Sequence, residues 1–169
     1  MLRSVAYLVA VCLLSVPTLF AQAPVRAVCD FDPNTQLAVE YQPISVNPSK
    51  PVFGHEIPYN KVWAPGGKPM TLFLNHPITV DGKEIPVGAY TMFVIRGANK
   101  WTVIISRSTD TSGRYNEDQD LARVPMQWGE LPSPESTFSI YFAHVAPDHC
   151  TMRLDLNKTR AWVDFQNKK

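Results

Sequence analysis

The sequence predicts an all-β fold, a mostly antiparallel β-sandwich in a single domain. Three observations carry this. Short runs alternate apolar and polar residues with period two. Pro (15 in the chain), Gly, Asn and Asp punctuate those runs. No stretch shows the 3.6-residue periodicity of a long amphipathic helix.

The strands follow in order. Leu37, Val39 and Tyr41 share one face of the first clear alternating run. Ile78–Val80 and Lys83–Ile85 flank Asp81-Gly82, the strongest short hairpin signal. Pro86-Val87-Gly88 turns the next corner. Ala89–Ile95 is apolar on both faces, which predicts a central strand. Gly97–Lys100 then turns the chain, and Trp101–Ser106 returns antiparallel to it. Residues Ser108–Asp120 are polar and without period, so they form a surface loop. Leu121–Trp128 is a strand bent at Pro125, which favours a sheet edge. Leu131-Pro132-Ser133-Pro134 is a stiff linker. Thr137–His144 alternates, with Phe138, Ile140, Phe142 and His144 on one side. Cys150, Met152 and Leu154 share a face opposite Thr151, Arg153 and Asp155. Asn157-Lys158 turns into a last strand, Arg160–Phe165.

Residues 1–23 have the pattern of a cleaved signal peptide: Arg3, an uncharged run from Ser4 to Phe20, then Ala21-Gln22-Ala23. Ala21 and Ala23 are the two candidate cleavage positions. Pro17 interrupts the apolar run, which is short for a membrane span. The mature domain is then 24–169, with no transmembrane segment and an exported, periplasmic or extracellular destination. Losing Arg3 brings the 16 Lys and Arg level with the 15 Asp and Glu. A neutral exported chain has no footprint for nucleic acid.

Of the three cysteines, Cys12 lies in the leader. Cys29 shares a strand side with Phe31, and Cys150 shares one with Met152 and Leu154, so both sulfurs point at the core. In an oxidising compartment this pair is expected to form a disulfide closing a loop of about 120 residues.

Pro51-Val52-Phe53-Gly54, Ile57–Trp63, Val80–Phe93 and Trp101-Thr102-Val103-Ile104 form an ordered series of motifs. Leu131–Pro134, Phe138-Ser139-Ile140 and Cys150–Asp155 extend it. Together they resemble the bacterial envelope family known as domain of unknown function 2911. The resemblance covers nearly all of the mature chain and implies an exported β-sandwich with paired cysteines. It implies no activity. Family members typically carry Arg-Thr-Gly-Ala-Asn-Glu after the tryptophan. Here Trp63 is followed by Ala64-Pro65-Gly66-Gly67-Lys68-Pro69, which retains Lys68 as the only ion.

Candidate chemistry is sparse. His144 and His149 flank Asp148, but beside a proline and at no established ligand spacing. Asn116–Asp120 places oxygens at alternate positions, yet lacks the glycine and closing glutamate of a calcium loop. There is no Gly-x-Ser-x-Gly elbow, and Pro69 replaces the Ser/Thr a phosphate loop needs. No catalytic residue, metal site or cofactor is therefore assigned. The candidate ligand-binding set is Tyr59, Lys61, Trp63 and Lys68, aromatics beside amines on a Pro/Gly-rich loop. The competing reading makes Tyr59 and Trp63 plugs of the core, the commoner fate of large aromatics. The expected function is a non-catalytic binding or interaction module, its partner a small molecule, a glycan or an envelope protein. The alternative is a hydrolase acting on an envelope or carbohydrate substrate.

Overall fold

The computed structural model describes residues 23–168. The leader expected over residues 1–23 lies, except for Ala23, outside the described residues. The rest is all-β, with ten antiparallel strands in one continuous sheet. These are β1 (Val25–Asp32), β2 (Thr35–Tyr41), β3 (Val62–Trp63), β4 (Met70–Leu74), β5 (Ile78–Val80), β6 (Lys83–Ile85), β7 (Gly88–Arg96), β8 (Trp101–Ser106), β9 (Asp120–Ala146) and β10 (His149–Asn167). Their order across the sheet is β1-β2-β4-β7-β8-β9-β10-β5-β6, with β3 on β7.

Local chemistry explains the pieces. Asp81 (φ 48°) and Gly82 (φ 71°) are both left-handed. The turn between β5 and β6 therefore follows the right-handed twist of its strands. β7 is central, as its two apolar faces require: it pairs with β4 on one side and β8 on the other. Even its Thr91 is buried, and it reaches the Ser108 carbonyl through its hydroxyl at 2.9 Å.

β9 and β10 shape the molecule. The first part of β9 pairs with β8, from Asp120↔Ser106 to Met126↔Trp101. From Gln127 onward it pairs with β10. Strand β9 thus lies between β8 and β10 rather than at the edge of the sheet, but Pro125 itself pairs with β8 alone. It is tolerated because β10 leaves β9 after Trp162↔Gln127 to pair with β5 at Phe165↔Val80. The side of β9 away from β8 is open at this point, a place where a residue without an N–H is tolerated.

β10 doubles back. Asn157 has φ 53°, a left-handed state that asparagine tolerates. The turn expected at Asn157-Lys158 is this bend. Thr151 Oγ1 donates to Asp164 Oδ1 at 2.6 Å, and Arg160 grips Asp155 through Nε (2.8 Å) and Nη2 (2.7 Å). The Asn167 amide donates to the Asp148 carbonyl at 2.8 Å. Thirteen extended residues would span about 40 Å, so these contacts require the two halves of β10 to lie side by side. Glu130 pairs with Thr159 and Glu135 with Asn157, which leaves Leu131–Pro134 without partners on β10. That segment, expected as a stiff linker, carries β9 past the tip of the bend.

The sheet curls so that its two halves enclose one core. Phe138 of β9 is fully buried and meets Tyr41 (5.5 Å between ring centroids) and Trp63 (5.4 Å) edge-on. The chain leaving β2 crosses to β9, where Phe138 and Val46 donate backbone hydrogen bonds to Ile44 and Ser136, both 2.8 Å. Cys29 and Cys150 are buried and bonded to each other, their Cα atoms 6.5 Å apart. The link ties edge strand β1 to the start of β10.

The disulfide closes a loop of 121 residues in sequence separation. Chain entropy sets its contribution at about 4–5 kcal/mol, less any native strain. Denaturant unfolding with and without reductant should show a loss of that order. Identical midpoints would contradict it.

Candidate functional site

The outer face of β10 carries a dense set of polar side chains. Ala161, Val163 and Phe165 point into the core, so Arg160, Trp162 and Asp164 point outward. In the other half of β10, Cys150, Met152 and Leu154 point inward while Thr151, Arg153 and Asp155 share the outer side. The bend at Asn157 lays these two outward sets against each other.

Two adjoining depressions result. One, of about 390 Å³, is lined by Arg153, Arg160, Trp162 and Val145 among others. The second, of about 220 Å³, lies where β10 leaves β9 and is lined by Asp81, Pro125 and Gln166 among others. Gln127, Trp162 and Asp164 belong to both. Half-buried Trp162 is therefore common to both depressions, which adjoin as one groove along the outer face of β10.

The groove's charges are unequal in freedom. Asp155 is buried and held in a two-pronged pair by Arg160. That hydrogen bonding holds the Arg160 guanidinium above its ordinary range. Tyr141 also donates to Asp155 at 3.1 Å; burial, and then the Asp155 charge, push its phenol pKa up. Arg153 lies over the Tyr141 ring at 5.9 Å. Among the described residues it has no carboxylate partner.

The loop candidates are dispersed. Trp63 is packed against the core on Phe138. Lys61 is exposed. Tyr59 is exposed, with its ring 5.5 Å from the Arg96 guanidinium. Lys68 lines a different depression, of about 220 Å³, with Glu40, Gln42 and Thr71. The diverged stretch after Trp63 is held tightly: Gly66 has φ 69°, and a Cβ there would stand 2.7 Å from Gln42 Cγ.

Tyr59 belongs instead to a ring of aromatics around Arg96. Phe53 (5.6 Å), Tyr59 (5.5 Å), Trp101 (5.1 Å) and Trp128 (4.8 Å) all place their rings against its guanidinium. Arg96 is buried and donates to the carbonyls of Gly97 and Ala98. Burial lowers its pKa. The Phe53, Tyr59 and Trp101 motifs thus have a structural use, anchoring the loop before β3 to the end of β7.

The histidines stand apart. His55 is exposed, His76 Nδ1 lies 3.0 Å from the Pro77 carbonyl, and His144 is exposed on β9. His149 Nδ1 pairs with Asp148 at 2.6 Å. Among the described residues no group of three or more His, Cys, Asp or Glu is placed to hold a metal ion. In the acidic loop, Asn116 caps the Asp118 amide at 3.0 Å. Asp120 accepts from Arg123 (2.6 Å) and Tyr115 (2.5 Å).

A sequence profile of the family described as protein of unknown function (DUF2911) matches residues 24–165. The chain belongs to that family. No curated protein and no solved structure matches it. The DUF2911 motifs fall mainly on structural positions: Trp63 and Phe138 in the core, Phe53, Tyr59 and Trp101 around Arg96, and the cysteines in the disulfide. The Arg160-Trp162-Asp164 row lies outside the motifs that carried the resemblance. Its signal was nonetheless in the sequence, a tryptophan on the polar parity of an amphipathic strand. No helix among the described residues is long and apolar enough to cross a membrane.

Two predictions follow from these contacts. Replacing Arg96 by Ala leaves four rings around a void and should cost about 2–4 kcal/mol by denaturant unfolding; a change under about 0.5 kcal/mol would make the ring of aromatics incidental. Burial and then the Asp120 hydrogen bond raise the Tyr115 pKa from 10 to about 12. The folded state keeps the phenol proton where the unfolded chain has lost it, so this contribution is intact below pH 10 and is lost as pH rises towards 12. Stability measured across that window should fall less steeply in Tyr115→Phe than in the parent; equal slopes would contradict the assignment.

Proposed function

We propose that this DUF2911 protein is an exported, non-catalytic binding module whose ligand is an oligosaccharide lying along the Trp162 groove. One observation carries the reading: half-buried Trp162 lines both adjoining depressions, with the planar hydrogen-bonding side chains Gln127, Arg160 and Asp164 lining them beside it. Sugar rings present an apolar C–H face and an equatorial belt of hydroxyls. An aromatic platform with amide, guanidinium and carboxylate groups at its rim answers both. The groove belongs to paired strands rather than to a loop, so its shape is set before a ligand arrives. Export is supported by the leader pattern and by a buried disulfide, which persists in oxidising compartments.

The sequence-derived loop set gives a second reading with one observation in its favour, the depression that Lys68 lines with Glu40 and Gln42. The hydrolase alternative makes a separable demand, that bound oligosaccharide be cut.

Calorimetric titration with an oligosaccharide panel tests these readings together. Trp162→Ala should weaken binding at least tenfold while the circular dichroism spectrum is unchanged. Lys68→Ala and Trp63→Ala should leave the affinity of folded protein within about twofold. Undiminished binding by Trp162→Ala would overturn the proposal, and loss confined to Lys68→Ala would move the site to the loop. Release of new reducing ends would favour the hydrolase.

A further inference from the structure

We infer that the groove selects acidic saccharides, and that Arg153 receives the sugar carboxylate. The inference rests on the saccharide reading above and adds the ligand's charge to it. Arg26, Arg114, Arg123 and Arg160 each have a protein carboxylate within 3.5 Å. Arg153 is half-buried, lines the larger depression, and has no carboxylate partner among the described residues. The nearest candidate on its own half of β10, Asp155, is already neutralised by Arg160 and further occupied by the Tyr141 hydroxyl. Tyr141 supports the Arg153 guanidinium from its ring face, which limits the side-chain freedom that docking a ligand would otherwise cost.

The opposite end of the groove has the other sign. Asp164 accepts from Thr151 through Oδ1, and among the described residues no hydrogen bond reaches Oδ2. Asp81 lies beyond it at the β5–β6 turn. A neutral sugar would leave the Arg153 charge unanswered. A dianionic ligand spread along the whole groove would meet Asp164 and Asp81. A saccharide with its carboxylate at the Arg153 end, a ring on Trp162 and hydroxyls donating to Asp164 satisfies all three positions. Guanidinium and carboxylate match in a two-pronged geometry, so the charged contact also fixes the direction in which the chain lies.

The test compares a short oligosaccharide bearing one terminal uronic acid on otherwise neutral sugars with its methyl ester, which keeps the rings and hydroxyls and removes the charge. The parent protein should bind the acid about 10- to 100-fold more tightly than the ester. Arg153→Gln should lower affinity for the acid to that for the ester and leave ester binding unchanged. Trp162→Ala should weaken both. Equal affinity of the parent for acid and ester would overturn the charge selection and leave the groove reading standing. Failure of both ligands to bind would overturn the two together. The acid–ester comparison uses the parent protein, so it decides the question even if Arg153→Gln folds poorly.

Discussion

The return of β10 at Asn157 is the constraint on which the rest depends. A strand's side chains alternate, so a β10 that buries Cys150, Met152, Leu154, Ala161, Val163 and Phe165 must turn its other residues outward. Without the bend those outward residues would be strung along one strand. With it, Thr151 meets Asp164 and Asp155 meets Arg160. The same event brings Arg153 and Trp162 to one groove. The Asp155–Arg160 pair, a buried carboxylate under a half-buried guanidinium, then fastens the two sides of the bend together. Arg160 is therefore occupied by the fold, and Arg153 is left available for a ligand.

The remaining architecture holds that doubled strand in place. The disulfide fastens the start of β10 to edge strand β1, and Phe138 wedges between Tyr41 and Trp63 on the facing side. At the far end, Arg96 gathers four rings from β8, β9 and the loop before β3. A cation under rings contributes more as water is excluded from it, and Arg96 is buried. These contacts account for the DUF2911 motif residues as scaffold. The groove is built on that scaffold by residues of other segments.

Local signals made the fold largely legible. Asp81-Gly82 specified its turn, the two apolar faces of Ala89–Ile95 specified a central strand, and strand parity aimed both cysteines inward. Asn157-Lys158 was readable as a turn from composition alone. Pro125 was readable as a point of missing pairing, though not as a split between two inner strands, since that depends on where β10 departs. The site was less legible for a related reason. Tyr59, Lys61 and Trp63 share parity, but Asn60 has φ 58°. That left-handed residue breaks the alternation, and Tyr59 and Trp63 go to different surroundings. Arg160, Trp162 and Asp164 could be placed on one outward face. That Gln127 and Arg153 would stand beside them follows from pairings distant in sequence, which period-two reasoning does not specify.

Backbone and indole chemical-shift mapping by NMR tests the central claim most directly, with the protein titrated by a short oligosaccharide bearing one terminal uronic acid. Perturbations should concentrate on Gln127, Arg153, Arg160, Trp162 and Asp164, and the Trp162 indole N–H should move furthest of the four tryptophans. Shifts confined to Tyr59–Lys68, or to the β1 edge, would contradict the placement of function on the outer face of β10.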